Sequence, residues 1–246
     1  MNKQKLKLAL VDNLKTIVAA LIIAILIRSL LFQPFYIPSS SMEPTLLIGD
    51  RIFVSKYTYG YSKHSFPFSP NITQKRILYS IPEAGDQVVF KTPEDNRTDF
   101  IKRLIGLPGD VIQFVDGEIF INERKINRKK ILDINTVRCG ESSYEVNVFE
   151  ETLPNGTKYI AAYNKSGTLK NTKKFIVPEN HFFLMGDNRD CSRDSRYSQV
   201  GYVSSLNLVG KAQIIFFSND TVKSRILKFW NIKNSFRLDR TFKKIR

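Results

Sequence analysis

The sequence contains very little cysteine and very little histidine. Among 246 residues there are two cysteines, Cys139 and Cys191, and two histidines, His64 and His181. Two cysteines are too few for a disulfide framework or a cysteine-based zinc site. Two histidines likewise exclude a histidine-rich metal centre. The sequence therefore predicts chemistry that uses neither a metal ion nor a cofactor.

Acidic residues are scarce relative to basic ones. The chain has 23 Asp and Glu against 38 Lys and Arg, which gives a formal net charge of +15. Such a charge favours an anionic partner, either nucleic acid or an acidic membrane surface. The positive charges are spread along the chain without an Arg/Gly or zinc-finger pattern. We therefore favour anionic membrane lipids over nucleic acid, and we interpret the basic stretch 124–130 as a solvated face.

Long apolar runs are absent except for one near the N-terminus. Residues 16–32 are apolar apart from three positions, which matches the short end of a membrane span. Four lysines precede the run, whereas 33–50 contains no Lys or Arg. The positive-inside rule then keeps the N-terminus in the cytoplasm and exports the rest of the chain. Two alternatives stay open, namely a cleaved signal peptide that ends at Ser41 and a buried core helix.

Three consecutive serines, Ser39 to Ser41, follow the apolar run and lie between Pro38 and Pro44. Proline fixes its own φ angle and disfavours the helical region for the residue before it, so we expect the serines on a stiff, exposed turn. Such a turn would present a hydroxyl nucleophile. The same composition is also typical of a plain linker.

Beyond residue 46 the pattern predicts β-strands. Three Gly-Asp pairs each precede a run of β-branched and aromatic residues, because glycine supplies the positive-φ turn and Asp caps it. The pair Asp116-Gly117 predicts a two-residue hairpin. The fold class is therefore mainly β, with antiparallel strands, and the more polar stretch from about 116 to 173 is interpreted as an inserted subdomain. The predicted strands are 51–55, 87–91, 111–115, 118–121, 174–177, 181–185 and 208–217.

A serine nucleophile needs a base, and the histidines are poor candidates. His64 lies in a loop rich in serine and proline, and His181 begins a predicted core strand. The alternative base is a lysine whose pKa, ordinarily near 10.4, is lowered by burial. Lys102 fits, because Phe100 and Leu104 lie on its own face of a predicted strand. A lysine that protects an edge strand from aggregation is the competing interpretation.

A third cluster of polar residues covers 185–196, where Asp and Arg alternate among short hydrogen-bonding side chains. This composition predicts a rigid loop that is held by its own ion pairs and Asx-turns, and that could support an active site. A calcium loop is the alternative. The arginines and the missing pattern of carboxylates at every second position disfavour calcium.

Together these segments resemble the bacterial type I signal peptidase (leader peptidase) family. The resemblance runs from the apolar run to about residue 215, with the motifs in the family's order. The loop has the family's form Gly-Asp-Asn-Arg-Asp-x-Ser-x-Asp-Ser-Arg. The four similar motifs are the nucleophile motif at 37–46, the Gly-Asp strand motif at 85–90, the general-base motif at 99–110 and the polar loop at 186–196.

The resemblance implies a role for each polar residue of these motifs. Ser41 corresponds to the nucleophile and Lys102 to the general base. The hydroxyl of Ser39, with the backbone N–H of Ser41, corresponds to the oxyanion donors. Ser192 corresponds to the serine that orients the lysine amine.

The resemblance also implies a substrate and a pair of apolar pockets. The family cleaves signal peptides from exported preproteins after Ala-x-Ala, because its shallow pockets admit only small side chains. Asp194 and Arg196 correspond to a structural ion pair. The predicted pocket residues are Phe35, Ile37, Met42, Leu46, Ile52, Val89, Phe100 and Ile101.

For the whole chain the resemblance implies a monomeric, single-pass enzyme of the bacterial inner membrane, with its catalytic domain on the periplasmic side. The implied fold is an antiparallel β catalytic core with a smaller inserted β subdomain, preceded by one transmembrane helix. The predicted segments are a cytoplasmic N-terminus at 1–15, a signal anchor at 16–32, a catalytic core at 33–112 and 176–223, an inserted subdomain at 113–175 and a basic, aromatic tail at 224–246.

Three departures from the family pattern accompany the resemblance. Ser40 stands where the family often has Gly, and Cys191 replaces the common Asn. After the loop, the family's usual Trp-Gly is replaced by the less similar sequence Tyr-Ser-Gln-Val-Gly at 197–201. Pairing of Cys191 with Cys139 stays open, because their separation in space is not given by the sequence. A membrane-tethered β domain that binds without cutting is the main alternative function, and a self-cleaving Ser/Lys regulator is another.

Overall fold

A computed structural model describes residues 3–71, 73–131, 136–165, 170–220 and 236–245. The chain begins with one α-helix, α1 (Lys3–Leu26), which continues as a π-helical turn over Ile27–Leu31. Leu10–Leu31 is long and apolar enough to cross a membrane, by length and composition. Its side chains are almost all exposed, so it is not a core helix of this structure.

The rest of the described chain is built mainly from β-strands and short turns. The strands are β1 (Phe32–Tyr36), β2 (Asp50–Ser55), β3 (Gln87–Lys91), β4 (Asp99–Gly106), β5 (Val111–Val115), β6 (Glu118–Ile121), β7 (Arg124–Lys125), β8 (Asn127–Ile131), β9 (Thr136–Cys139), β10 (Ser142–Thr152), β11 (Lys158–Asn164), β12 (Phe175–Ile176), β13 (His181–Met185), β14 (Val203–Ser204), β15 (Leu208–Ser218) and β16 (Lys243–Lys244).

The largest sheet has eight antiparallel strands in the order β1-β2-β15-β3-β4-β13-β14, with β16 paired to β15. Two smaller sheets, β11-β10-β8 with β9 on β10 and β12-β5-β6-β7, come from the segment between β4 and β13. Because β4 and β13 are neighbours in the large sheet, this segment is a smaller β unit inserted between adjacent strands. The mainly β, antiparallel fold class is confirmed. The subdomain boundaries at 113 and 175 stay a prediction.

The predicted strands are confirmed at all seven places, four with the predicted ends and three with ends shifted by one residue. The hairpin is confirmed as well. Asp116 and Gly117 both have positive φ, at 50° and 77°, and Val115 pairs with Glu118. Positive φ at both central residues matches the twist of the flanking strands, which explains why the Asp-Gly signal works here.

The N-terminal segment differs from the prediction in two respects. The helix starts well before residue 16, and Phe32, predicted as the end of the span, opens β1 by pairing with Ser55. The serine turn also differs, since Ser40 and Ser41 are buried, at 4% and 8% exposed, rather than exposed.

The serine turn is buried because the residues that follow it are anchored in the core. Met42 and Leu46 are fully buried in an apolar cluster with Ile37, Ile52 and Val89. Burial of two such side chains contributes roughly 3–6 kcal/mol and draws the chain between them inward. The turn that carries the serines is thereby fixed on the large sheet.

The C-terminal part of the described chain packs against the same sheet. Arg240 forms a buried ion pair with Asp50, with Nη2 2.6 Å from Oδ2, and also donates to Thr45 O. Residues 221–235, which hold much of the predicted aromatic tail, lie outside the described residues.

Candidate active site

The central contact joins the serine turn to β4. Lys102 is 4% exposed, and its Nζ lies 2.7 Å from Ser41 Oγ and 3.0 Å from Ile101 O. Burial lowers the pKa of Lys102 from 10.5 to about 8, although Asp194 and Asp187 act in the opposite direction. A larger share of the amine is therefore neutral near neutral pH than for an exposed lysine, and its lone pair can accept the hydroxyl proton.

The backbone of the serine turn is clamped by the polar loop at 186–196. Asn188 N donates to Ser41 O at 3.1 Å, and Asn188 Nδ2 donates to Ser40 O at 3.1 Å. Gly186 allows this approach, because a Cβ at that position would overlap both Ser192 Oγ and Ser41 O. The glycine of the loop is therefore required by packing around the serine turn.

The predicted oxyanion and orienting residues also lie near this contact. Ser39 is exposed, and its Oγ is 3.5 Å from Ser41 Oγ. Ser192 is buried against Gly186. The hydrogen bonds of Lys102 go to Ser41 and Ile101, however, and not to Ser192.

Asp194 and Arg196 form a buried ion pair in the loop, with Nε 2.8 Å from Oδ1. Burial alone would raise the pKa of Asp194. The guanidinium of Arg196 and the hydrogen bond from Gly186 N outweigh burial and lower it. The carboxylate therefore stays charged beside the lysine amine.

An apolar cavity of about 430 Å³ opens beside Ser41 and Lys102. Met42 and Leu46, also predicted as pocket residues, do not line it, and both are fully buried. Neither histidine lines it. Six of the eight predicted pocket residues do, namely Phe35, Ile37, Ile52, Val89, Phe100 and Ile101.

A buried ion pair next to Lys102 was not predicted. Arg103 Nη2 and Nε each lie 2.7 Å from an oxygen of Asp187, and Thr45 Oγ1 donates to the same carboxylate at 2.6 Å. Asp187 thus joins the strand of the lysine, the loop and the segment of the serine. The sequence signal that could have indicated this ion pair was a second basic residue, Arg103, directly after Lys102 in a mostly apolar strand.

A second unpredicted network joins the loop to the inserted sheets. Arg189 pairs with Glu151 of β10 at 2.7 Å, and both side chains are fully buried. Tyr159 and Tyr163 donate hydroxyls to the same carboxylate. Nothing in the sequence marked Glu151, because Glu150 beside it is equally acidic.

The inserted unit is also tied to the serine turn through β9. Cys139 and Cys191 form a disulfide, with Cα atoms 5.6 Å apart, which answers the question left open by the sequence. Glu43 accepts a hydrogen bond from Arg138 N at 2.8 Å. The serine turn is therefore held from both sides, by the large sheet and by the inserted unit.

Comparison with known proteins shows the family to which this chain belongs. The model for signal peptidase, peptidase S26, matches residues 10–217. Signal peptidase I of Rickettsia typhi is 42% identical over 91% of this chain and 89% of its own length, and that of Rickettsia prowazekii is also 42% identical over the same shares. A solved signal peptidase I from Enterococcus faecalis is 26% identical, covering 54% of this chain and 97% of its own, with a TM-score of 0.33. On the family model and the curated relatives, the chain belongs to the signal peptidase family, peptidase S26, and is a serine hydrolase.

Proposed function

We propose that the chain is a membrane-bound endopeptidase that removes N-terminal signal peptides from exported preproteins after Ala-x-Ala, using Ser41 and Lys102. The observation that carries the proposal is the 2.7 Å contact between Lys102 Nζ and Ser41 Oγ at the edge of an apolar cavity. A serine hydroxyl within hydrogen-bond reach of an amine whose pKa is lowered to about 8 is the arrangement that nucleophilic catalysis requires.

In the proposed mechanism the neutral amine of Lys102 takes the proton of Ser41 while Oγ attacks the carbonyl carbon of the scissile bond. The resulting ammonium then protonates the leaving amine, and an acyl-enzyme remains on Ser41. Water, deprotonated by Lys102, attacks the ester, and the ammonium then gives its proton to Ser41 Oγ as the signal peptide leaves with a new carboxyl group. The lysine thus returns to its starting state in each turnover.

The oxyanion that forms on the substrate would be stabilised by the backbone N–H of Ser41 and by the hydroxyl of Ser39. Each such donor typically contributes about 3–4 kcal/mol to the transition state. The resemblance assigns to Ser192 the positioning of the Lys102 amine; its buried hydroxyl lies in the loop that clamps Ser41, and it makes no hydrogen bond to Lys102 in this structure. Asp194 and Arg196 keep that loop rigid.

The anchor and its orientation belong to the same proposal. The helix over Leu10–Leu31 is apolar enough to span an inner membrane. The lysines before it place the N-terminus in the cytoplasm, at Lys3, Lys5, Lys7 and Lys15. The Cys139–Cys191 disulfide supports an oxidising, periplasmic location for the catalytic domain. All proposed catalytic groups come from one chain, so a monomer would suffice, with anionic lipids as its surroundings.

Purified full-length protein in neutral detergent should cleave a preprotein after Ala-x-Ala, with the new N-terminus identified by sequencing. Replacing the alanine before the cleaved bond by Phe should lower kcat/KM about 100-fold, because the shallow pockets that the resemblance implies admit only small side chains. A matched preprotein with Phe two residues after the bond serves as control. Equal cleavage of the Ala and Phe substrates would contradict the proposed specificity.

A further inference from the structure

A second cavity, of about 540 Å³, lies beside the proposed substrate cavity. The two cavities share Phe35 and Asp99 as lining residues. The second cavity reaches from Arg28, near the end of the apolar helix, to the loop 63–69. None of its basic residues has a role in the proposed mechanism.

The lining of this second cavity is strongly basic. Four cationic side chains line it, namely Arg28, Lys63, Lys91 and Arg97. Within the ranges that the structure describes, no carboxylate lies within 4.0 Å of the charged groups of Arg28, Lys63 or Arg97. Three cations without a protein counter-ion around one cavity favour an anionic ligand.

The two carboxylates in the lining are already engaged. Asp99 pairs with Lys91, with Oδ1 2.9 Å from Nζ. Asp95 accepts hydrogen bonds from the hydroxyls of Thr92 and Thr98 and from backbone N–H groups of its own turn. These hydrogen bonds lower the pKa of Asp95. The Asp95 carboxylate is therefore used in capping its own turn. The net charge of the lining is still positive.

A buried histidine in the lining has an unused polar atom. His64 is 4% exposed, and its Nε2 has no hydrogen-bond partner among the described residues, whereas its Nδ1 lies 2.9 Å from Ser69 Oγ. Burial lowers the pKa of His64 to about 4, and Lys63 and Lys91 add to the effect, so the ring is neutral at pH 7. When Ser69 donates to Nδ1, Nε2 carries the proton and needs an acceptor.

The position of the cavity indicates where its ligand comes from. Arg28 lies in the last turns of the apolar span, a depth at which arginine side chains extend to lipid headgroups. The loop 63–69 adds Phe68, which is fully exposed, and Phe66 and Pro67 to the same lining. An apolar rim beside a basic cavity suits a phosphate that carries acyl chains better than a free phosphate ion.

We propose that this cavity binds the phosphate group of an anionic phospholipid at the membrane surface. Lys63, Arg97 and Arg28 would supply the positive charge, and His64 Nε2 would donate a hydrogen bond to a phosphate oxygen. The inference rests on the membrane anchoring in the proposed function, but not on catalysis. A bound headgroup would hold the catalytic sheet against the bilayer, beside the cavity that takes the signal peptide.

The test uses the full chain carrying Ser41→Ala in neutral detergent micelles, so that binding is measured without cleavage. Isothermal titration calorimetry compares short-chain phosphatidylglycerol, phosphatidylcholine of the same chain length, and soluble glycerol phosphate. Phosphatidylglycerol should bind saturably and at least about tenfold more tightly than either, since charge and acyl chains both contribute. Equal affinity for glycerol phosphate would assign the site to free phosphate and overturn the lipid proposal.

Variants then locate the binding. Lys63→Glu with Arg97→Glu should weaken phosphatidylglycerol binding more than about tenfold, and His64→Phe by about tenfold, because a hydrogen bond to a charged group is lost. The control is the double variant Lys129→Glu with Lys130→Glu, which makes the same charge change at exposed positions of β8. It should bind phosphatidylglycerol as tightly as the Ser41→Ala protein. Equal loss in both double variants would show diffuse charge attraction and overturn the site. Preprotein cleavage by the wild type in phosphatidylcholine micelles tests the peptidase separately.

Discussion

Replacement of Ser41 by Ala is expected to lower kcat/KM for preprotein cleavage by at least about 10,000-fold, because removal of a serine nucleophile leaves only binding and oxyanion stabilisation. The structure gives the reason for singling out this hydroxyl, since Ser41 Oγ lies 2.7 Å from the amine of Lys102. The measurement is the rate of appearance of the mature protein, at substrate concentrations well below KM.

The neighbouring serines supply matched controls for that variant. Ser40 Oγ points towards Cys191, with 4.0 Å between Oγ and Sγ, so Ser40→Ala should keep cleavage within a few fold of the wild type. Ser39→Ala should lose about 100-fold to 1,000-fold, as expected for one oxyanion donor. If Ser41→Ala cleaved within tenfold of the wild type, Ser41 would not be the nucleophile.

Asp187→Asn should destabilise the fold by about 3–5 kcal/mol, because it leaves the guanidinium of Arg103 buried without a counter-charge. Both side chains are fully buried, and the carboxylate also accepts from Thr45, so the loss cannot be relieved by solvent. Urea unfolding of the full chain in detergent, followed by far-UV circular dichroism, measures the change.

The exposed pair of Glu145 and Lys165 provides the control for Asp187. Its oxygen and nitrogen are also 2.7 Å apart, yet both side chains are exposed and solvent screens the pair, so Glu145→Gln should leave the free energy of unfolding nearly unchanged. Since Asp187 raises the pKa of Lys102, Asp187→Asn should also move the acid limb of the rate profile to lower pH. Equal destabilisation by the two variants would contradict the structural role of Asp187.

Local sequence signals were sufficient to predict the structure where one short segment determines its own conformation. The Gly-Asp pairs located strand starts because glycine and Asp favour the required turns whatever surrounds them. Lys102 was identifiable because Phe100 and Leu104 share its face, and the observed burial of Lys102 follows from that pattern. Only the resemblance, however, connected Lys102 with Ser41.

Features that depend on contacts between distant segments could not be predicted. Glu150 and Glu151 are chemically alike, and only the register of β10 decides that Glu151 points inward to Arg189. The burial of Ser41 likewise depends on where Met42 is anchored, and the disulfide depends on how the inserted unit lies on the loop. Side-chain alternation along a strand does not specify which face meets which partner.

The central claim is that the neutral amine of Lys102 activates Ser41, and a second buried lysine allows a direct comparison. Lys56 is 1% exposed, and burial lowers its pKa to about 8 as well, but its Nζ bonds the carbonyl oxygens of His64 and Ser65. Lys102→Met and Lys56→Met each remove one buried amine of similar pKa. The two variants differ in whether that amine contacts the serine.

The most direct measurement is therefore kcat/KM against pH for the wild type and these two variants. A base acts in its neutral form, so the wild-type rate should rise about tenfold per pH unit at acid pH and level off above about 8, the pKa of Lys102. Lys56→Met should keep this profile, and Lys102→Met should show no cleavage at any pH. Cleavage by Lys102→Met with the wild-type acid limb would contradict the account.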